Sequence, residues 1–102
     1  MTRGKDGMES RTLGKTGISV SRLCFGTLVM GPLQRNLSAD EGGALLAEAY
    51  RQGVNFIDTA ELYETYAHIR ASIRLSGITP VVATKSYAFS SDGARQSVDK
   101  AL

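Results

Sequence analysis

Cysteine is nearly missing from this chain, net charge is close to zero, and no long apolar run occurs. One cysteine, Cys24, in 102 residues leaves no internal disulfide framework and no cysteine-rich metal site. It sits in the apolar run LCF, where a small buried hydrophobe is expected and not a nucleophile. No apolar stretch approaches the roughly 20 residues that span a bilayer. The N-terminal MTRGKDGMESRT carries basic residues with no apolar segment after them, so it does not read as a secretory signal. A cytoplasmic location without a membrane partner is expected. The formal net charge is +2 and the basic residues are scattered, which gives no electrostatic case for nucleic acid.

Phosphate-binding signatures are missing too. A dinucleotide fingerprint needs G-x-G-x-x-G directly after the first strand. That place reads FGTLVMGP, with Gly26 and Gly31 alone. Gly14-Lys15-Thr16 resembles the end of a P-loop, but Glu9 stands where its first glycine belongs, and a strand pattern follows instead of a helix. No internal repeat or low-complexity segment is evident.

What is present is ordinary globular composition, 42% hydrophobic and 22% charged, in a length that suits one domain. Residues 1–10 read as a disordered extension, with Met8 a candidate natural start, and residues 11–102 as the domain. RTLGKTGISVSR has a Lys-Thr-Gly turn between two short segments, a hairpin signal. LCFGTL suits a buried strand ending in a loop at Gly26. Ser38 and Glu41 fit a capping box, Leu45, Leu46 and Ala49 follow at helical spacing, and Gly53 suits the C-cap. Gly42-Gly43 costs this helix about 1 kcal/mol per glycine, so tertiary packing is expected to sustain it.

VNFID is a strand apolar on both faces. Tyr66, Ile69 and Ile73 then mark a helix with Arg70 and Arg74 opposite, ended by Gly77 and Pro80. PVVATK is the next strand. Ser90 or Ser91 caps a last helix, whose Ala94, Val98, Ala101 and Leu102 share a face. Two-sided apolar strands alternating with amphipathic helices imply an α/β fold, a parallel sheet covered by helices.

Two of these strands end in charge. Val54, Phe56 and Asp58 share one face, and Val81, Ala83 and Lys85 another. Parallel α/β proteins place their sites at the C-terminal ends of strands. Were the strands neighbours, Asp58 and Lys85 could pair, with Tyr63 reaching over them. A nearby ammonium favours a phenolate, so such a phenol could exchange a proton with a carbonyl or alcohol oxygen. A structural ion pair and a half-buried helix-start tyrosine remain the plainer alternatives. His68, the sole histidine, reads as an exposed helical residue. Glu61 and Glu64 read as first-turn acids favoured by the helix dipole, not as metal ligands.

RTLGKTGISVSRLCFGT, NFIDTAELY and VVATK, in that order, resemble the N-terminal part of the aldo-keto reductase family. The segment TLVMGPLQRNLS with ELYETYAHIR is also similar to a bacterial branch in which some members carry an iron–sulfur domain. The resemblance implies an N-terminal hairpin and about three β/α units of a (β/α)₈ TIM barrel. It implies reduction of aldehydes and ketones with NADPH or, less often, NADH. By position it implies Tyr63 as general acid, with Asp58 and Lys85 as its supporting pair. Gly26, Thr27, Leu28 and Asp58 would lie near the nicotinamide.

The family's catalytic histidine follows a fourth strand and its phosphate loops follow the seventh and eighth; neither is in these residues. Glu64 stands where many members have glycine and is expected to crowd the pocket rim. An isolated chain of this kind is expected to be inactive. Its open sheet edges would favour self-association, and the alternative to a reductase fragment is a non-enzymatic interaction module or a truncated gene product.

Overall fold

The computed structural model describes the backbone of residues 2–3 and, in full, residues 7–102. Strands β1 (Thr2–Arg3), β2 (Glu9–Thr12) and β3 (Ser19–Ser21) form an antiparallel sheet in that order. The hairpin expected from the turn signal is β2–β3, and it extends further toward the N-terminus than residue 11. Ser10 pairs with Ser21, and the Arg22 amide donates to the Glu9 carbonyl at 2.9 Å. The Arg22 guanidinium also meets the Glu9 carboxylate at 2.7 Å. Of the extension expected over residues 1–10, residues 1 and 4–6 lie outside the described residues.

A second sheet is parallel, in the order β4 (Cys24–Gly26), β5 (Phe56–Asp58), β6 (Val81–Ala83). Its register sets Gly26 beside Asp58 and Asp58 beside Ala83. The hairpin sheet is fastened at the N-terminal end of β5. There Asn55 accepts from the Ser21 amide at 2.6 Å and donates to the Ser19 carbonyl at 3.0 Å.

Helix α1 (Ala39–Arg51) begins at the expected capping box, in which Ser38 and Glu41 each satisfy the other's free backbone N–H. Helix α2 (Tyr66–Ser76) ends at Gly77, whose φ of 72° suits a residue without Cβ. Both helices cover one face of the parallel sheet. Leu46 and Tyr50 of α1, Ile69 of α2, Met30 and Ile57 make the core, with Phe25 packed against them.

Within α1 the core side differs from the expected stripe. Leu46 is fully buried while Leu45 is 47% exposed, because the buried face runs through Gly42, Gly43, Leu46, Ala47 and Tyr50. The glycine pair lies where α1 meets α2: a Cβ on Gly43 would stand 2.6 Å from the Ala71 Cβ. The expected dependence on tertiary packing is therefore a close helix crossing.

Two expectations about burial are corrected. Cys24 is exposed. It points from β4 to the face shared by Phe56 and Val81, opposite to the one that the helices cover. His68 is buried, only 6% exposed, with Nε2 at 2.8 Å from the Leu37 carbonyl. The missing Cβ of Gly42 makes its space, since one there would sit 2.5 Å from His68 Cδ2.

Helix α3 (Ser91–Ala101) is capped by Ser90, which accepts from the Gly93 amide at 3.1 Å. Its apolar face is not buried: Val98 is 56% exposed and Leu102 91%. Polar contacts hold it instead. The Glu61 carboxylate accepts from Ser97 at 2.6 Å and from Lys100 at 2.8 Å. Lys100 and then Ser97 lower the Glu61 pKa below the ordinary carboxylate value. A depressed carboxylate pKa contributes stability above the unfolded value and loses it as pH falls through the folded one. The Ser97 and Lys100 amide resonances are therefore expected to shift as pH falls through the lowered Glu61 pKa. Glu61→Gln should produce the same shift at neutral pH. Ser97 and Lys100 resonances that stay fixed through the acid titration would contradict this.

Candidate active site

The parallel ladder brings the charged strand ends together. The Thr59 amide donates to the Ala83 carbonyl at 2.9 Å and the Glu61 amide to the Lys85 carbonyl at 3.1 Å, so the register continues past the strands. Lys85 thus arrives beside Asp58. Its Nζ donates to the two carboxylate oxygens at 3.2 and 3.1 Å and to the Thr59 carbonyl at 2.7 Å.

Tyr63 ends a short 3-10 turn, Glu61–Tyr63, that follows β5. Lys85 Nζ lies 5.2 Å from the centroid of its ring, within cation–π range. The bond to Asp58 is the main cause that raises the Lys85 pKa above its ordinary value, and Tyr63 adds to it. The ammonium stays charged at neutral pH. The pair is half-exposed, with 44% of the Lys85 side chain and 49% of Asp58 open to solvent. It is consequently accessible to a reactant, and solvent screening limits what it adds to stability.

The other expected site residues divide. Gly26, at the end of β4, is exposed and has no atom within 4 Å of where a Cβ would be. Leu28 is half-buried in the next turn, Leu28–Met30. Thr27, between them, has no accessible surface and is turned into the core. Its position after β4 is the expected one, but its side chain has nothing to offer a cofactor. Gly26 and Asp58 are adjacent in register and both open to solvent. Among the described residues no group of three or more His, Cys, Asp or Glu could hold a metal. No helix of the described residues is long and apolar enough to cross a membrane.

A groove of about 730 Å³ lies to one side, lined by Glu61, Glu64, Tyr66, Arg70, Tyr87 and Lys100 among others. It does not include Asp58, Tyr63 or Lys85, so volume and chemistry do not coincide. Glu64 points to this groove. Its departure from the glycine of the resembling family acts through the backbone, where φ is 55° and ψ 45°. A side chain in this left-handed region is strained, and glycine is not. Glu64→Gly is expected to stabilise the chain by about 0.5–1 kcal/mol after glycine's larger chain entropy is subtracted. Urea unfolding measures it, and a lower midpoint would refute it.

The profile of the Aldo/keto reductase family matches residues 22–102. The chain belongs to the aldo/keto reductase family. L-galactose dehydrogenase of Arabidopsis thaliana is 30% identical over 107 aligned positions, which cover 93% of this chain and 34% of that protein. An uncharacterised oxidoreductase of Bacillus subtilis, YrpG, is 43% identical over 58 positions, 55% of this chain and 16% of that one. The crystal structure of a candidate aldo-keto reductase from Pseudomonas aeruginosa superposes with a TM-score of 0.79 at 30% identity, covering 98% of this chain and 44% of that one. The chain spans about a third of the length of the first of these relatives. Its fold is the N-terminal part of the aldo-keto reductase TIM barrel, with the Asp58–Lys85 pair at the C-terminal ends of the strands.

Two features of the site were hidden in the sequence. The inward turn of Thr27 and its partners Thr59 and Thr65 carry no periodicity that marks them. The Thr59 carbonyl as a Lys85 acceptor is a backbone contact that no residue type announces.

Proposed function

We propose that this chain supplies the proton-donating part of a nicotinamide-dependent carbonyl reductase. The observation that carries the reading is the Lys85 ammonium held by Asp58 over the Tyr63 ring. In this reading Tyr63 gives its phenolic proton to the carbonyl oxygen of an aldehyde or ketone. Lys85 stabilises the negative charge that develops on the phenol oxygen, and Asp58 holds Lys85 charged and in place. NADPH or NADH, bound with its ring near Gly26, Leu28 and Asp58, would supply hydride to the carbonyl carbon. The sugars and dehydrogenations named for relatives belong to those proteins; the substrate class proposed for this one is a small carbonyl compound.

The test is NADPH oxidation dependent on added aldehyde or ketone, by a complete barrel that contains this chain. Steady turnover supports the reading, and none with a broad carbonyl panel overturns it. The 102-residue chain alone is expected to bind NADPH more weakly than micromolar, as read by cofactor fluorescence. The uncovered sheet face and the exposed Leu23, Val98 and Leu102 favour a second reading, pairing of sheet edges with a partner or another copy. Concentration-dependent mass together with an absence of nicotinamide binding and turnover in any complete form would select it.

A further inference from the structure

Beneath Asp58, Tyr63 and Lys85 lies a closed ring of hydroxyls. Thr27, Thr59 and Thr65 all have no accessible surface. Thr27 Oγ1 donates to Thr59 Oγ1 at 2.8 Å, and Thr65 Oγ1 lies 2.9 Å from Thr59 Oγ1 and 2.8 Å from Thr27 Oγ1. A hydroxyl has one donor and can accept. A cycle in which Thr27 gives to Thr59, Thr59 to Thr65 and Thr65 to Thr27 leaves no buried donor without a partner.

The three residues come from three places that the site depends on. Thr27 leaves β4 beside Gly26 and is the N-cap of the turn Leu28–Met30. Thr59 follows Asp58, and its carbonyl takes the shortest of the Lys85 bonds, 2.7 Å against 3.1 and 3.2 Å to the carboxylate. Thr65 is the N-cap of α2 and stands two residues after Tyr63, across the left-handed Glu64. Gly31 closes the arrangement: a Cβ there would lie 2.8 Å from the Thr65 methyl and would collide with the Tyr63 carbonyl. Apolar packing could fill this space without fixing direction. Hydrogen bonds among three hydroxyls fix both distance and angle.

Resting on the reductase reading, we propose that the Thr27–Thr59–Thr65 ring is the positioning device of the site. It fixes the Thr59 carbonyl that aims Lys85 and the turn that carries Tyr63. The three threonines are positioning residues and touch no substrate.

The experiment follows the Lys85 side chain by NMR in the chain itself, with no cofactor or substrate present. The groups that face or feel its ammonium are Asp58, Tyr63 and, more weakly, Cys24. Thr65→Val keeps the shape and removes the hydroxyl. It is expected to bring the Lys85 titration down toward the free-lysine value and to diminish the Tyr63 ring-current shift on its ε protons. Thr65→Ser keeps the hydroxyl and should leave both unchanged. Tyr50→Phe breaks a separate buried pair, Tyr50–Ser72 at 2.8 Å. It should lower Tm without moving Lys85.

A Thr65→Val chain that loses Tm while Lys85 stays as in the parent overturns the proposal, as does a Thr65→Ser chain in which Lys85 moves. Should Thr65→Val not fold, Thr27→Val, which removes another hydroxyl of the ring, decides beside Thr27→Ser: a Lys85 moved by valine and not by serine supports the ring, and a Lys85 unmoved by valine overturns it. Absence of carbonyl reduction by a complete barrel would refute the reductase reading and leave these Lys85 results standing.

Discussion

Tyr63→Phe, in a complete barrel that contains this chain, is expected to cut kcat for carbonyl reduction by about 10²- to 10⁴-fold, the range that a positioned general acid supplies. The substitution removes one oxygen and keeps the ring. The cation–π contact with Lys85 therefore survives, and Lys85 keeps its bonds to Asp58 and the Thr59 carbonyl. What is lost is the proton that neutralises the developing alkoxide. Because the phenol makes no cofactor contact in this reading, NADPH affinity should stay at the parent value. An interaction made only in the transition state lowers kcat and kcat/KM together. A rise in KM at constant kcat would instead place Tyr63 in substrate binding, and unchanged kinetics would remove it from the mechanism.

Much of this site was legible because strand periodicity and a charged terminus are both local signals. Asp58 and Lys85 each follow an apolar strand, and a parallel register brings such ends together without a long-range clue. Glu64 was legible only as a departure from a resembling pattern, since residue type alone does not reveal a φ of 55°.

Burial was harder to read. Cys24 looked buried in its apolar run, but a strand has two faces and only one is covered by helices. His68 looked exposed beside Arg70, yet Gly42 on another helix opens the space that takes it. The apolar residues that share a face of α3 stay open to solvent, and Glu61 holds the helix through Ser97 and Lys100 instead. Each misreading concerns a partner from a different element, which the sequence of one element does not encode.

Gly43→Ala separates a local preference from a tertiary one. In an isolated helix the change should stabilise by about 1 kcal/mol, because glycine has the greater chain entropy to lose. In this fold the new methyl would stand 2.6 Å from the Ala71 Cβ and 3.0 Å from both the Ala71 carbonyl carbon and the Ser72 amide nitrogen. Two of those atoms are backbone, so no rotamer change relieves the contact, and α1 and α2 must separate. Overpacking of this kind costs about 1–3 kcal/mol. Separation would also loosen Leu46 and Ile69, which meet in the core between the helices. The net expectation is destabilisation by about 2 kcal/mol, once lost packing is added to overpacking and the helix preference is subtracted. Near 100 residues that lowers Tm by roughly 8–16 °C. Ala44→Gly, at an exposed position on the same helix, supplies the opposite control. It has the ordinary propensity cost of about 1 kcal/mol and no steric component. A Gly43→Ala chain that melts above the parent would mean that the two helices can part freely, and the close crossing would then not be what holds α1 in place.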